Sequence, residues 1–134
     1  MRHTVRLHGV VIGYSELEHI DPALRRAWGE FRPGFGYDLV QPVFRLFSQA
    51  VPPGGAARDA ELLERYHNAR DALGLDLQDA DGRAVRTSAI HIADYTAEQA
   101  KTPLELDVLI HDERYWTRRL SSVRPETLNG LLTE

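Results

Sequence analysis

Residues 75–94 read LDLQDADGRAVRTSAIHIAD and carry the clearest β-structure signal of the chain. Two strand-like segments, residues 75–78 and 83–94, flank a turn that ends in Asp81-Gly82. An Asp-Gly pair between two such segments is a strong β-hairpin signal, because glycine and aspartate tolerate the positive φ of a tight turn. We therefore predict a hairpin at this point.

Two further segments read as strands. In residues 104–111 every second side chain from Leu104 to Ile110 is apolar, which predicts one face toward the core. Residues 4–14 are interpreted as a single strand whose second half is apolar on both faces. Strands grouped in hairpins late in the chain favour an α+β fold, with a mainly antiparallel sheet of four or five strands packed against two or three helices. A parallel crossover from the first strand stays open.

The clearest helix spans residues 58–73, where an apolar stripe is followed by Gly74 at the position of a C-terminal cap. The residues Ser15 to Glu18 fit a helix capping box. Further helices are expected at residues 22–28 after Asp21, from Tyr37 or Pro42 to Ala50, around Tyr115-Trp116, and from Pro125 onward.

Composition sets the broad class. The 134 residues, 43% apolar and 27% charged, suit one domain over residues 1–134 with one core. The chain has no cysteine, which excludes disulfides, thiolate metal sites and a thiol nucleophile. No apolar run is long enough for a membrane span or a signal peptide, so no membrane association and a cytoplasmic location are expected.

The charge pattern bears on partners. A net charge of −4 disfavours nucleic-acid binding, which needs a basic surface. A nucleic-acid role would require Arg25-Arg26 and Arg118-Arg119 to join into one patch. Lys101 is the only lysine, a bias that we attribute to a GC-rich bacterial genome.

Two short motifs resemble known sites; the first departs from its pattern at one position and the second at two. The segment around Ser15 has Leu17 where a hydrolase nucleophile turn requires glycine. The turn before Gly82 resembles part of a calcium loop, but Leu77 stands at the first acidic position and Ser88 at the final glutamate position. We assign the first to local capping and the second to turn chemistry.

A possible polar site lies on one face of the predicted sheet. Histidine with carboxylate can support acid–base chemistry or an oxygen/nitrogen metal site, although the outer face of an antiparallel sheet is often simply solvated. No metal and no cofactor is assigned. The candidate residues are His8, His91, His111, Asp107 and Glu105.

A second candidate surface is aromatic. Aromatic residues crowd residues 28–47 beside several glycines, a pattern typical of a core or of an interface. The candidate partner-binding residues are Trp28, Phe35, Tyr37, Phe44, Phe47 and Trp116, with a leucine-rich tail at Leu128, Leu131 and Leu132.

No motif establishes catalysis, and whether the chain is an enzyme stays open. We expect a non-enzymatic protein-binding module, such as an accessory or immunity-like protein, that binds another protein or itself. The alternative is a small enzyme or metal-binding domain that uses the histidine and carboxylate face.

Overall fold

A computed structural model describes residues 1–55, 57–98 and 100–121. Within these ranges, nine strands form two antiparallel sheets, and three α-helices pack with them, which confirms the α+β class. The strands are β1 (His3–Leu7), β2 (Val10–Ser15), β3 (His19–Asp21), β4 (Arg26–Glu30), β5 (Arg32–Pro33), β6 (Leu75–Gln78), β7 (Ala84–Val85), β8 (Thr87–Asp94) and β9 (Leu104–Ile110). The helices are α1 (Gln41–Ala50), α2 (Ala60–Leu73) and α3 (Glu113–Ser121), with 3₁₀ turns at Pro22–Leu24, Phe35–Leu39 and Pro53–Gly55.

The two sheets share one core. The five-stranded sheet has the order β5-β2-β1-β6-β7, and the four-stranded sheet has the order β3-β4-β9-β8. Helix α1 packs against α2 and against β8, the edge strand of the smaller sheet. Apolar side chains from both sheets and all three helices meet in a single buried cluster, which includes Val5, Ile12, Phe44, Tyr66, Leu77, Ile92, Leu106, Val108 and Trp116.

The prediction of one strand over residues 4–14 is wrong. The segment is a hairpin in which β1 pairs with β2, and the turn residues His8 and Gly9 have φ of 49° and 84°. Positive φ at both central residues is the pattern of a type I′ turn, whose twist matches that of the flanking strands. The apolar run on both sides concealed this turn, because Gly9 was its only local signal.

The predicted helix over residues 22–28 is also wrong beyond its first turn. Asp21 does cap it, accepting the N–H of Leu24 at 3.2 Å, but Arg25 turns left-handed at φ 58° and β4 begins at the next residue. Strand β4 lies between β3 and β9, with Ala27 opposite Val108. Pairing with two strands overrides the weak local preference for helix.

The capping box predicted at Ser15 does not start a helix. The Ser15 hydroxyl accepts the N–H of Leu17 at 3.0 Å, but Leu17 has a φ of 44° and strand β3 follows. The serine therefore stabilises a turn between two strands.

The opening hairpin prediction is correct in its turn and wrong in its second arm. Strands β6 and β7 pair across a turn in which Gly82 has φ 79°. At Arg86 the chain leaves this sheet, and β8 continues in the four-stranded sheet beside β9. The backbone at Arg86 is fixed there, since its N–H donates to Asp112 and its carbonyl accepts the N–H of His111.

The remaining helix and strand predictions are confirmed. Helix α2 begins after Asp59, whose side chain accepts the N–H of Leu62 at 3.0 Å, and ends at Gly74 with φ 66°. Helix α1, strand β9 and helix α3 lie where the periodicity placed them. The predicted helix from Pro125 and the leucine-rich tail lie outside the described residues. None of the helices in the described ranges has the length and hydropathy that a bilayer crossing requires.

Candidate functional site

The structure brings together only part of the predicted polar face. His91 on β8 lies directly opposite Asp107 on β9, and Glu105 lies two residues before Asp107 on the same strand. Arg26 on β4 binds Asp107 with both ends of its guanidinium, at 2.9 Å from Nε and 2.6 Å from Nη2. His91 and Asp107 therefore form a cross-strand pair, and Arg26, which lies opposite Leu109, reaches Asp107 diagonally from β4.

The other two histidines lie elsewhere. His8 occupies the β1–β2 turn of the five-stranded sheet, because β1 pairs with β2 and β6 rather than near β8 as expected. His111 follows β9 and shares a hydrogen bond of 2.8 Å with Ser88. The three imidazoles do not converge, and in the described ranges no three histidine or acidic side chains are arranged to hold a metal ion.

His91 itself is held in an aromatic setting. Its Nδ1 shares a hydrogen bond with the hydroxyl of the fully buried Tyr66, and the Phe47 ring lies 4.3 Å away, edge to face. Burial lowers the pKa of His91 to about 4, so the imidazole is neutral at pH 7. These side chains line an open depression of about 380 Å³ together with Arg70. The polar side chains of this depression could form hydrogen bonds with a small ligand.

Half of the predicted partner-binding aromatics are core residues. Phe47 packs on His91, and Trp28 stacks on His19 with its ring centroid 5.5 Å away. The three core residues are Tyr37, Phe44 and Trp116, which are at most 4% exposed and so are not accessible to a partner.

Phe35 is the exception, since its side chain is fully exposed to solvent. Leu39, on the same 3₁₀ turn, is 64% exposed, and the neighbouring Val10 is 47% exposed. We call these three residues the Phe35 patch. The 3₁₀ turn is packed closely on β2, because a Cβ atom at Gly36 would lie 2.6 Å from the carbonyl oxygen of Val11. Glycine is therefore required for this approach.

A buried carboxylate anchors the patch from below. Tyr37 donates its hydroxyl proton to Asp94 at 2.6 Å, and Gln41 and Thr96 donate to the same carboxylate. Burial alone would raise the pKa of Asp94, but these hydrogen bonds together hold it below its ordinary value. An ionised, fully bonded carboxylate thus fixes the segment that displays Phe35.

The paired arginines of the sequence bind different partners. Arg25 binds Glu113 and Arg26 binds Asp107, whereas Arg119 donates to the hydroxyl of Tyr115. Arg118 instead meets three other arginines around a depression of about 510 Å³. Its lining residues are Arg83, Ala84, Arg86, Asp112, Arg114 and Arg118.

Sequence reasoning named Arg118, as half of a basic pair, but did not predict that these four arginines meet, and it missed Leu39 and Val10 of the Phe35 patch. Arg114 and Arg118 are four residues apart on one helix, which is a readable signal for a shared face. Arg86 joins them at the point where the chain changes sheets, and no local pattern predicts that change. Arg83 joins them through the β6–β7 turn, where Asp79 lies 3.5 Å from Arg118.

The chain matches no protein-family model, no curated protein and no solved structure. Function must therefore be argued from its own residues.

Proposed function

We propose that this chain is a non-enzymatic binding domain, of the accessory or immunity-like kind, that recognises a protein partner through the Phe35 patch. One observation carries the proposal. Phe35 is a large aromatic side chain with no cover among the described residues, displayed on a turn that is held in place from beneath.

The energetic argument is that exposed apolar area is useful only when a partner buries it. Covering a phenylalanine side chain contributes roughly 1.5–3 kcal/mol. Aromatic residues in the centre of an interface commonly dominate binding, with smaller apolar neighbours such as Leu39 and Val10 excluding water around them. Single exposed apolar residues are ordinary on a protein surface, so what favours a contact site is that two of them lie on one 3₁₀ turn and the third on β2, the strand on which that turn packs.

The Phe35 patch lies on a turn that is held by close packing and hydrogen bonds, which favours its use in binding. A partner gains more from a side chain that is already in place, because less conformational entropy is lost on binding. Gly36, Tyr37 and Asp94 supply this order through close packing and a buried hydrogen bond. Since Phe35 projects outward, we expect the partner to be a protein with a concave apolar pocket.

Site-specific photocrosslinking tests this proposal. A photoreactive phenylalanine analogue replaces Phe35 in cells that express the protein natively, and crosslinked species are identified by mass spectrometry. Leu24 is the matched control, because it is 65% exposed on a different turn. We expect one protein to be crosslinked from position 35 and not from position 24.

The captured protein is then purified and titrated against defined variants. Phe35→Ser should weaken the complex at least about tenfold, whereas Leu24→Ser should leave it unchanged within about twofold. Equal thermal stability of both variants confirms that the fold is intact. Equal weakening by both variants, or no loss with Phe35→Ser, would reject the patch as the contact site. A dimer of this chain that Phe35→Ser dissociates in sedimentation velocity would identify the partner as a second copy.

A small enzyme using His91 is a second candidate, favoured by the hydrogen bond from Tyr66 and by Asp107 on the next strand. A histidine beside a carboxylate is an arrangement used in general acid–base catalysis, but the lowered pKa of His91 makes it a weak base, which places this candidate second. Turnover of simple esters and phosphoesters that is lost in His91→Gln would support it. Equal background rates for the wild type and His91→Gln would count against it.

A further inference from the structure

Four arginines from three separate parts of the chain line one depression. Arg83 ends the β6–β7 turn, Arg86 lies at the point where the chain changes sheets, and Arg114 and Arg118 lie one turn apart on α3. The depression measures about 510 Å³, within the usual range for small-molecule sites. From this convergence we propose a binding site for a small ligand that carries several phosphate groups.

The acidic residues nearby offset only part of these charges, and Asp112 is ionised and interacts electrostatically with Arg86. Asp112 is the one carboxylate in the lining, and its two oxygens accept backbone N–H groups of Arg86 and Tyr115, each at 3.2 Å. Arg83 binds the exposed Asp81 at 3.1 Å, and Arg118 lies 3.5 Å from Asp79. Two cations are thus partly neutralised at the rim.

The other two cations are open to a ligand. The side chains of Arg86 and Arg114 make no hydrogen bond or ion pair within the described part of the chain, and both residues are exposed. Arg114 and Arg118 stand four residues apart on a helix, where like charges repel. In a chain of net charge −4, a bound anion would relieve this local repulsion.

The chemistry of the lining narrows the ligand class. Arginine is always charged and presents a planar set of donors that fits phosphate oxygens in pairs. Apart from Ala84, all the lining side chains are charged and none is aromatic, so nothing offers a stacking surface for a nucleobase. A compact molecule with several phosphates, such as a short polyphosphate or a sugar bisphosphate, fits this lining better than a nucleic acid does. A nucleic acid requires a longer basic surface.

Isothermal titration with sodium tripolyphosphate at physiological ionic strength tests the site. The test variant is Arg86→Gln/Arg114→Gln, since neither side chain holds the fold together. The control is Arg58→Gln/Arg65→Gln, which removes the same charge from exposed positions elsewhere. We expect saturable binding by the wild type, a loss of at least about tenfold in the test variant, and a change within about twofold in the control.

Three results would overturn the proposal. The first is no binding by the wild type at about 1 mM tripolyphosphate, the limit of a useful affinity. The second is equal weakening in both double variants, which would show a diffuse charge effect. The third is binding of a single-stranded RNA oligomer with no binding of tripolyphosphate, which would indicate a nucleic-acid surface. The site is independent of the Phe35 patch, so neither proposal fails with the other.

Discussion

Removing the hydroxyl of Tyr37 tests whether the buried Asp94 carboxylate anchors the fold. Tyr37→Phe keeps the ring and deletes one hydrogen bond of 2.6 Å to Oδ2 of Asp94. A hydrogen bond to a charged group contributes roughly 1.5–3 kcal/mol. Asp94 retains donors from Gln41 and from the backbone and hydroxyl of Thr96, so it is not left unbonded. We therefore expect a loss of about 1.5–2 kcal/mol in the free energy of unfolding, the lower part of that range.

Urea denaturation at pH 7 measures this loss, and Tyr95→Phe is the matched control. Tyr95 donates its hydroxyl proton at 2.7 Å to the uncharged carbonyl oxygen of Val51, at a partly exposed position. A neutral bond of this kind contributes roughly 0.5–1.5 kcal/mol, so the control should lose less than Tyr37→Phe. A loss below about 0.5 kcal/mol for Tyr37→Phe, or one equal to the control, would refute the anchoring role.

The contribution of the Asp94 carboxylate to the free energy of unfolding should depend on pH in a defined direction. The pKa of Asp94 is held below its ordinary value of 3.8, so its contribution to stability is complete above that value and is lost as the pH falls through the lower folded-state pKa. The difference between wild type and Tyr37→Phe should therefore stay constant from about pH 8 to pH 5. A difference that shrinks within that window would show that the carboxylate is not ionised as described.

Three further substitutions have defined outcomes. Gly36→Ala should lower the free energy of unfolding in urea by about 1–3 kcal/mol, because the added Cβ would lie 2.6 Å from the carbonyl oxygen of Val11. Gly34→Ala is the control and should be tolerated, because the nearest atom to its Cβ is 3.6 Å away. Burial lowers the pKa of His3 and of His91 to about 4, so each should lower the stability by about 2 kcal/mol between pH 7 and pH 5 as the unfolded state binds a proton, and His3→Gln should remove the His3 share alone. Asp79→Ala should lose about 1–2 kcal/mol in the same assay, because its side chain accepts two backbone N–H groups of its turn; an unchanged unfolding midpoint would contradict this.

Local chemistry predicted the elements whose signals are contained within a few residues. Helix α2 was correct at both ends because Asp59 and Gly74 are caps that act on the adjacent turn. Strand β9 was correct because its alternation matches a strand with one buried face. The first hairpin was missed since a single Gly9 was the only mark of the turn, and β4 was missed since its strand conformation comes from β3 and β9.

The candidate sites depended on pairings that lie far apart in sequence. His91 and Asp107 were predicted to lie on the same face. The structure has them opposite each other, because β8 and β9 are consecutive strands along the chain and pair with each other. His8 was assigned to the same face on the assumption that the first strand lies beside them, and the structure puts it in the other sheet. Which side chains share a face is readable from one strand, whereas which strands share a sheet is not.

The change of sheets at Arg86 shows why the arginine depression could be found only in three dimensions. Arg83 lies near α3 through the β6–β7 turn, where Asp79 is 3.5 Å from Arg118. Had residues 83–94 formed one continuous strand, Arg86 would have stayed in the sheet of β6. Instead, the Arg86 backbone is bonded to Asp112 and His111, which brings it to the start of the helix that carries Arg114 and Arg118. A genome-wide preference for arginine explains why the chain has many such residues. It does not explain why four of them line one depression, whereas the proposed anionic ligand would.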